Sequence, residues 1–193
     1  MDRQAMHLRI PMERIAVLIG TKGEAKRNIE EKCGVNLEID SESGSISIAL
    51  KSETPDPLEI FKAERIILAI GRGFSPRRAF ELIDEDAVFE ILDLRDYLGK
   101  PGLAMQRIKS RIIGEGGKTR KIIEETTGAK VSVYGHTVAI IGDPDGFQAA
   151  KEAVIMLIQG RKHRTVYRFL HRKRQEIKKM KMALWKDSSL TLK

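Results

Sequence analysis

The sequence predicts an α+β protein in which one β-α-α-β-β-α unit occurs twice. Residues 14–39 match residues 108–133 after a shift of 94 positions, and each match is followed by an alternating strand and an apolar helix. The glycines that coincide are Gly20 with Gly114, Gly23 with Gly117 and Gly34 with Gly128. A glycine frame that repeats together with its flanking apolar residues indicates two related domains.

The first unit follows from hydrophobic periodicity. SISIAL alternates with the period of two that is typical of a strand, and residues 58–71 carry apolar side chains at helical spacing. The predicted elements are the strand HLRIP (7–11), the helices MERIAVLI (12–19) and EAKRNIEEK (24–32), the strands VNLEID (35–40) and SISIAL (45–50), and the helix 58–71.

The second unit repeats this order. Its predicted elements are the strand VFEILDL (88–94), the helix 103–113, a helix that starts at Gly117, a strand after Gly128, the strand HTVAII (136–141) and the helix 147–160. The segment RDYLGKPG has no counterpart in the first unit. The last helix of each unit ends in Gly-Arg, which predicts C-cap glycines at Gly71 and Gly160.

These elements divide the chain into a first domain (1–74), a helical linker (75–87), a second domain (88–160) and a basic helical extension (161–193). The linker lacks a Gly/Ser run, and Ser75 followed by Pro76 predicts the start of a helix. Val166, Phe169 and Leu170 give the extension an apolar side that could pack on the second domain.

Composition restricts the class of protein. The net charge is +8, and residues 161–193 hold 12 Lys and Arg against 2 Asp and Glu, which favours contact with a phosphate backbone. A single cysteine excludes a disulfide framework and a Cys-based zinc site. No apolar run reaches the length of a membrane span, and the N-terminus lacks a signal-peptide pattern, so we expect a cytoplasmic protein.

Two enzyme hypotheses compete with this interpretation. GEGGKT (114–119) resembles a nucleotide-binding loop, but the glycine required five residues before Gly117 is Ile112. The acidic run Asp84-Glu85-Asp86 could serve a metal-dependent nuclease, although a solvated turn is the simpler interpretation. The four histidines show no metal-ligand spacing, and we expect neither metal nor cofactor.

The repeated loop suits a phosphate chain better than free nucleotide. A helix that begins at the second glycine presents unpaired amides and a positive dipole end, while glycines allow close approach of a backbone. The first loop carries Thr21-Lys22 between its glycines and the second carries Glu115-Gly116, which opposes phosphate. The predicted RNA-binding residues are Gly20, Thr21, Lys22, Gly23 and Lys26; Arg111, Gly114, Glu115, Gly116, Gly117, Lys118 and Lys121; and Arg161, Lys162, Arg164, Arg168 and Arg172.

The I-G-x-x-G loops, the following helices that end in C-G or T-G, and the element order resemble the type I KH domain. This resemblance implies two tandem domains, each a three-stranded sheet with helices on one face. It also implies that the loops clamp about four nucleotides of single-stranded RNA.

The tandem pair, with GFSPRRAFELI, ILDLRDYLG and KHRTVYRFLHRKRQEI, is similar to a narrower family. It resembles the archaeal two-KH ribosome-assembly proteins, known as partner-of-Nob-one or dimethyltransferase-associated KH proteins. The resemblance implies binding near the 3′ end of small-subunit (16S) ribosomal RNA, assistance to a processing endonuclease, and contact with the alpha subunit of translation initiation factor two. We expect a monomer. An adaptor whose KH folds bind protein, while the extension touches RNA nonspecifically, is the alternative.

Overall fold

The structure is a computed structural model that describes residues 5–51, 56–100 and 102–190. It confirms the predicted α+β class, with two three-stranded antiparallel sheets and a helical C-terminal extension. In the first sheet the strand Ser45–Leu50 lies between Ala5–Arg9 and Val35–Ile39, and in the second the strand Thr137–Gly142 lies between Val88–Asp93 and Lys130–Tyr134. The last strand of each unit is therefore central.

The first unit contains β1 (Ala5–Arg9), a 3₁₀ turn (Met12–Arg14), α1 (Ile15–Ile19), a 3₁₀ turn (Thr21–Gly23), α2 (Glu24–Lys32), β2 (Val35–Ile39), β3 (Ser45–Leu50) and α3 (Glu59–Gly71). The linker forms α4 (Pro76–Ala79) and a 3₁₀ turn (Phe80–Ile83). Ser75 holds the predicted N-cap position, although its side chain makes no cap hydrogen bond.

The second unit contains β4 (Val88–Asp93), α5 (Arg95–Leu98), α6 (Leu103–Ile113), a 3₁₀ turn (Glu115–Gly117), α7 (Lys118–Thr127), β5 (Lys130–Tyr134), β6 (Thr137–Gly142) and α8 (Pro144–Ile158). The long helix α9 (His163–Leu190) follows. α8 starts three residues before the predicted position because the Asp143 side chain accepts a hydrogen bond from the Gly146 amide at 2.7 Å.

One predicted C-cap glycine is correct and the other is wrong. Gly160 follows α8 with a φ of 84°, the left-handed conformation of a C-terminal glycine. Gly71 lies inside α3, and a Cβ there would come within 2.6 Å of the Ile10 side chain. Glycine at position 71 therefore permits close packing of α3 on the end of β1.

The first core lies between the first sheet and helices α1 to α3. β3 alternates as predicted, with Ile46 and Ile48 completely buried and the intervening Ser47 partly exposed. Leu18 from α1 and Ile29 from α2 are also fully buried in this cluster. Burial of each such side chain contributes roughly 1.5–3 kcal/mol to folding.

The second sheet is covered on both faces. Val138 and Ile140 of β6 pack towards the helices of their own unit, whereas Ala139 and Ile141 belong to the core cluster of the first unit. The linker residue Leu82 is completely buried in that same cluster. The linker is thus a packed layer between the two units, and it fixes their mutual orientation.

Candidate nucleic-acid interface

The two glycine loops have the same backbone conformation. Gly20 and Gly114 have φ values of 73° and 74°, and Gly23 and Gly117 have φ values of 79° and 81°. Between them, Lys22 and Gly116 also match, with φ/ψ of 52°/27° and 55°/22°. The sequence repeat therefore corresponds to two superimposable helix-loop-helix turns.

The first glycine of each loop is required by packing inside the turn. A Cβ on Gly20 would lie 2.8 Å from the Ala25 Cβ, and one on Gly114 would lie 2.3 Å from the Thr119 Oγ1. A Cβ on Gly117 would meet no atom within 4 Å, and one on Gly23 would meet the Arg27 side chain at 3.6 Å, an ordinary van der Waals contact. The second glycine therefore leaves open space on the outer side of the loop, where a sugar-phosphate chain could approach.

The prediction of unpaired helix-start amides is wrong for the first residue of each helix. The Glu24 amide donates to the Thr21 carbonyl, and the Lys118 amide donates to the Glu115 carbonyl. A 3₁₀ turn closes each loop before the α-helix begins, and it uses these donors. Neither α2 nor α7 has a side-chain cap hydrogen bond, although Glu24 places a carboxylate in the first turn of α2.

The predicted RNA-binding side chains of the first loop are exposed or half-buried. Thr21 and Lys22 are exposed. Lys26 lies 3.7 Å from Glu30 on the next turn of α2, and Glu30 also accepts a hydrogen bond from the Leu37 amide at 2.9 Å. Glu30 thereby ties α2 to the outer edge of β2.

The second loop opens into a cleft of about 440 Å³, here called the second cleft. Three predicted residues line it: Gly116, Gly117 and Lys121. Its other lining residues, which sequence reasoning missed, are Arg78, Arg120, Glu124, Glu125 and Lys130. Arg120 and Lys130 could have been found from their places beside the repeated loop and strand. Arg78 has no such signal, because it comes from the linker.

Glu124 repeats the role of Glu30. Its Oε1 accepts a hydrogen bond from the Val131 amide at 2.9 Å, as Glu30 does from the equivalent Leu37. Glu124 pairs with Arg78, with Nη1–Oε1 and Nη2–Oε2 distances of 2.8 and 3.4 Å. The linker therefore reaches the edge of the second cleft.

Arg111 lies beside the second loop but points to the extension. Its Nη2 donates to the Arg161 carbonyl at 2.6 Å, and its own carbonyl lies 3.0 Å from His163 Nε2. The Thr119 hydroxyl, one residue into α7, lies 2.9 Å from the Tyr167 hydroxyl. These contacts connect the second loop to the first turns of α9.

α9 is anchored as predicted and keeps its cations outside. Val166 and Leu170 are completely buried and Phe169 is nearly so. The predicted RNA-binding residues of the extension are all exposed: Arg161, Lys162, Arg164, Arg168 and Arg172. Lys118 is likewise exposed at the start of α7.

α9 covers a surface that remains open in the first unit. There a cavity of about 730 Å³ lies between Ala16, Ala25 and Asn28 on one side and Pro76 and Phe80 of the linker on the other. The equivalents of Ala25 and Asn28 are Thr119, which bonds to Tyr167, and Ile122, which packs in the second core. The short linker helix thus takes only part of the place that α9 fills in the second unit.

Within the described residues the acidic run forms a turn, in which the Asp86 amide donates to the Asp84 side chain at 3.1 Å. No group of His, Cys, Asp and Glu there has the arrangement of a metal site. Among the described helices, none combines the length and the apolar character that crossing a membrane requires. Cys33 is buried, and this burial raises the pKa of its thiol to about 11.

Comparison with known proteins gives the same two units. A profile of the KH domain matches residues 5–69, and a profile described as the eukaryotic type KH-domain (KH-domain type I) matches residues 88–175. The second profile includes the first turns of α9, which agrees with their packing on the second unit.

Relatives align over nearly the whole chain. A KH domain-containing protein of Methanocaldococcus jannaschii is 46% identical over 188 residues, which cover 97% of this chain and 82% of that protein. The pre-rRNA-processing protein pno1 of Schizosaccharomyces pombe is 25% identical, over 85% of this chain and 68% of the relative.

A solved structure agrees in fold as well. A chain from the crystal structure of an a/eIF2alpha–aDim2p–rRNA complex of Pyrococcus horikoshii OT3 is 48% identical, with a TM-score of 0.84. The alignment covers 91% of this chain and 96% of that one. The chain therefore belongs to the family of two-KH-domain proteins that includes archaeal Dim2p and eukaryotic pno1.

Proposed function

We propose that this protein binds single-stranded ribosomal RNA near the 3′ end of the small-subunit (16S) molecule and assists its processing and assembly, without catalysing a reaction itself. The observation that carries this function is the pair of glycine loops with equal backbone conformation, in each of which a Cβ on the second glycine would meet no backbone atom within 4 Å. KH loops of this kind clamp an RNA backbone. A relative named as a pre-rRNA-processing protein and a similar chain in a complex with rRNA support the same target.

The proposed RNA surface consists of the two loops and the exposed side of α9. Lys22 supplies positive charge at the first loop, and Arg120, Lys121 and Lys130 supply it beside the second, where Glu115 opposes phosphate. The division into domains at 1–74 and 88–160, with a linker and an extension, stays a proposal. The packed linker layer argues that both domains act as one unit.

The complex that contains a/eIF2alpha supports the alpha subunit of translation initiation factor two as a protein partner. The open cavity beside Phe80 offers the first domain a surface that the second domain has already covered with α9. The proposed role also includes assistance to a processing endonuclease. We propose that the protein acts as a monomer in the cytoplasm, where archaeal ribosomes assemble.

The test compares matched loop variants of the full chain. Thr21→Asp with Lys22→Asp and, separately, Glu115→Asp with Gly116→Asp place two carboxylates in each loop. Because Thr21 and Lys22 are exposed, their exchange for Asp should leave the midpoint of thermal unfolding nearly constant. Gly116→Asp places a non-glycine residue at a φ of 55° and should lower the midpoint modestly while the domain stays folded. In both variants the affinity for an RNA of the 16S 3′-terminal sequence should fall.

Glu115→Lys is the opposite change and should strengthen binding. Fluorescence anisotropy with the terminal RNA and a scrambled RNA measures both effects. Full affinity in both Asp variants would contradict RNA binding by the loops and favour the adaptor function.

A further inference from the structure

The second cleft contains a residue that does not belong to its KH unit. Arg78 lies in the linker, 46 residues before its partner Glu124, yet it lines the cleft together with Gly116 and Gly117 of the loop. The first unit offers a direct comparison. There the equivalent carboxylate, Glu30, pairs with Lys26 of its own helix at 3.7 Å.

The position equivalent to Lys26 does not supply this pair in the second unit. It is occupied by Arg120, whose buried Nε has no hydrogen-bond partner among the residues that the structure describes. The pair with Glu124 is made instead by Arg78, at 2.8 Å. In the second unit the linker therefore supplies the cation that pairs with the helix carboxylate, whereas in the first unit the same helix supplies it.

The geometry of the pair leaves donors available. A guanidinium group has five N–H donors in a planar fork, and the two contacts to Glu124 use two of them. Glu124 is itself fixed by the Val131 amide, and only 13% of its side chain is exposed, whereas the Arg78 side chain is 39% exposed. Arg78 is thus held in one orientation with part of its fork facing solvent.

The place of Arg78 in the second cleft indicates which part of an RNA strand it would contact. The glycine loop holds the RNA backbone in a KH domain, so the bases lie on the side of the neighbouring strand. Arg78 lines the cleft together with Lys130 at the start of β5, and the linker residue Glu81 lies 3.9 Å from Lys130. Because its charge is already balanced by Glu124, Arg78 is better suited to hydrogen bonding with a base edge than to neutralising a phosphate.

We propose that Arg78 is a base-reading residue of the second KH domain, supplied by the linker and oriented by Glu124. It would recognise a base edge with two adjacent acceptors, either O6 and N7 of guanine or O2 and N3 of cytosine. This inference rests on the RNA-binding function proposed above and deepens it. If Arg78 reads a base, the isolated second domain lacks part of its RNA-binding site, because Arg78 lies in the linker.

The test uses the full chain and a pool of random single-stranded RNA octamers, which are sequenced after selection. Arg78→Lys keeps a charge that can pair with Glu124 but lacks the planar fork. We expect the preference for guanine or cytosine at one position to fall about tenfold, while other positions keep theirs. The slope of log K against log salt should change by much less than the roughly 0.7 that one phosphate contributes.

Two matched controls separate base reading by Arg78 from a general effect of weaker contacts between the linker and the second domain. Arg77→Lys makes the same change one residue away, at a side chain that lines the first-domain cavity. Glu81→Gln removes another ion pair between linker and β5, Lys130 to Glu81 at 3.9 Å. Equal loss of preference in either control, an unchanged preference in Arg78→Lys, or a loss of salt slope without loss of preference would each overturn the inference.

The loop variant Glu115→Asp with Gly116→Asp tests RNA binding by the second domain separately from base reading by Arg78. If it leaves the selected octamers unchanged, RNA binding by the second domain itself is refuted. If it abolishes selection while Arg78→Lys selects as the unaltered protein does, only the role of Arg78 is refuted.

Discussion

Exchange of the second residue between the loop glycines, Lys22 or Gly116, should change stability and RNA affinity in opposite directions. Lys22 has a φ of 52°, and among the described residues it is the one non-glycine residue with a positive φ. Gly116 holds the same conformation in the second loop, and a Cβ there would meet no atom within 4 Å. The exchange variants Lys22→Gly and Gly116→Lys therefore change backbone strain and charge with little change in packing.

The magnitude follows from two opposing contributions. A left-handed conformation destabilises the folded state by roughly 1–2 kcal/mol for an L-residue, and glycine removes this strain. Glycine also increases the entropy of the unfolded chain, which lowers the free energy of unfolding by about 0.4–1 kcal/mol. Lys22→Gly should thus raise the free energy of unfolding by about 0.5–1 kcal/mol, and Gly116→Lys should lower it by a similar amount. RNA affinity should move the other way, because a cation is removed from the first loop and added to the second.

Urea unfolding of both variants measures the stability change, and anisotropy at several salt concentrations measures binding. Lys22→Gly should flatten the dependence of log K on log salt by about 0.7, and Gly116→Lys should steepen it by a similar amount. A fall in stability for Lys22→Gly would refute the strain argument. An unchanged salt slope for that variant would refute the phosphate contact at the first loop.

Four further outcomes are expected. Changing the exposed Arg164, Arg168 and Arg172 to Gln should flatten the salt slope by about 2 and leave the preference for the terminal over the scrambled RNA intact, because contacts with phosphates carry no sequence information; a full slope would assign α9 to a protein partner. The Cys33 thiol, with a folded pKa of about 11, should resist iodoacetamide at pH 8 until urea unfolds the chain. Its contribution to stability should be present below pH 9 and decline from pH 9 to 11, as the unfolded thiol ionises first; Cys33→Ser should reduce this decline. The purified protein should not hydrolyse ATP, and turnover that disappears in Lys118→Ala would contradict the non-catalytic function.

Local structure was readable from the sequence because its causes are local. Helices 24–32 and 103–113 and the strand 45–50 have the bounds that periodicity predicts. The loop glycines were identified from their repeat, since only a backbone with positive φ values at those positions makes this turn. Apolar spacing also identified the buried side of α9.

Contacts between units were not readable in the same way. Periodicity shows that a strand has an apolar face but does not show what covers it. The run of buried residues in β6 does carry a signal, because a strand that is apolar on both faces is typical of a sheet covered on both sides. Nothing local indicates that Arg78 reaches Glu124 or that Arg111 bonds to the Arg161 carbonyl, since these partners are 46 and 50 residues apart.

The two units differ most in the helix that follows them, and this difference has an energetic consequence for RNA binding. In the second unit Tyr167 bonds to Thr119 at the loop, and Val166 and Leu170 are buried. The exposed cations of the first turns of α9 are therefore held at a fixed position relative to the second loop. When a flexible basic tail binds RNA, ordering of its backbone reduces the free energy of binding by roughly 1–2 kcal/mol for each ordered residue. A packed helix is already ordered by folding, so its binding carries no such cost. The same number of phosphate contacts should thus yield tighter binding here than it would on a disordered extension.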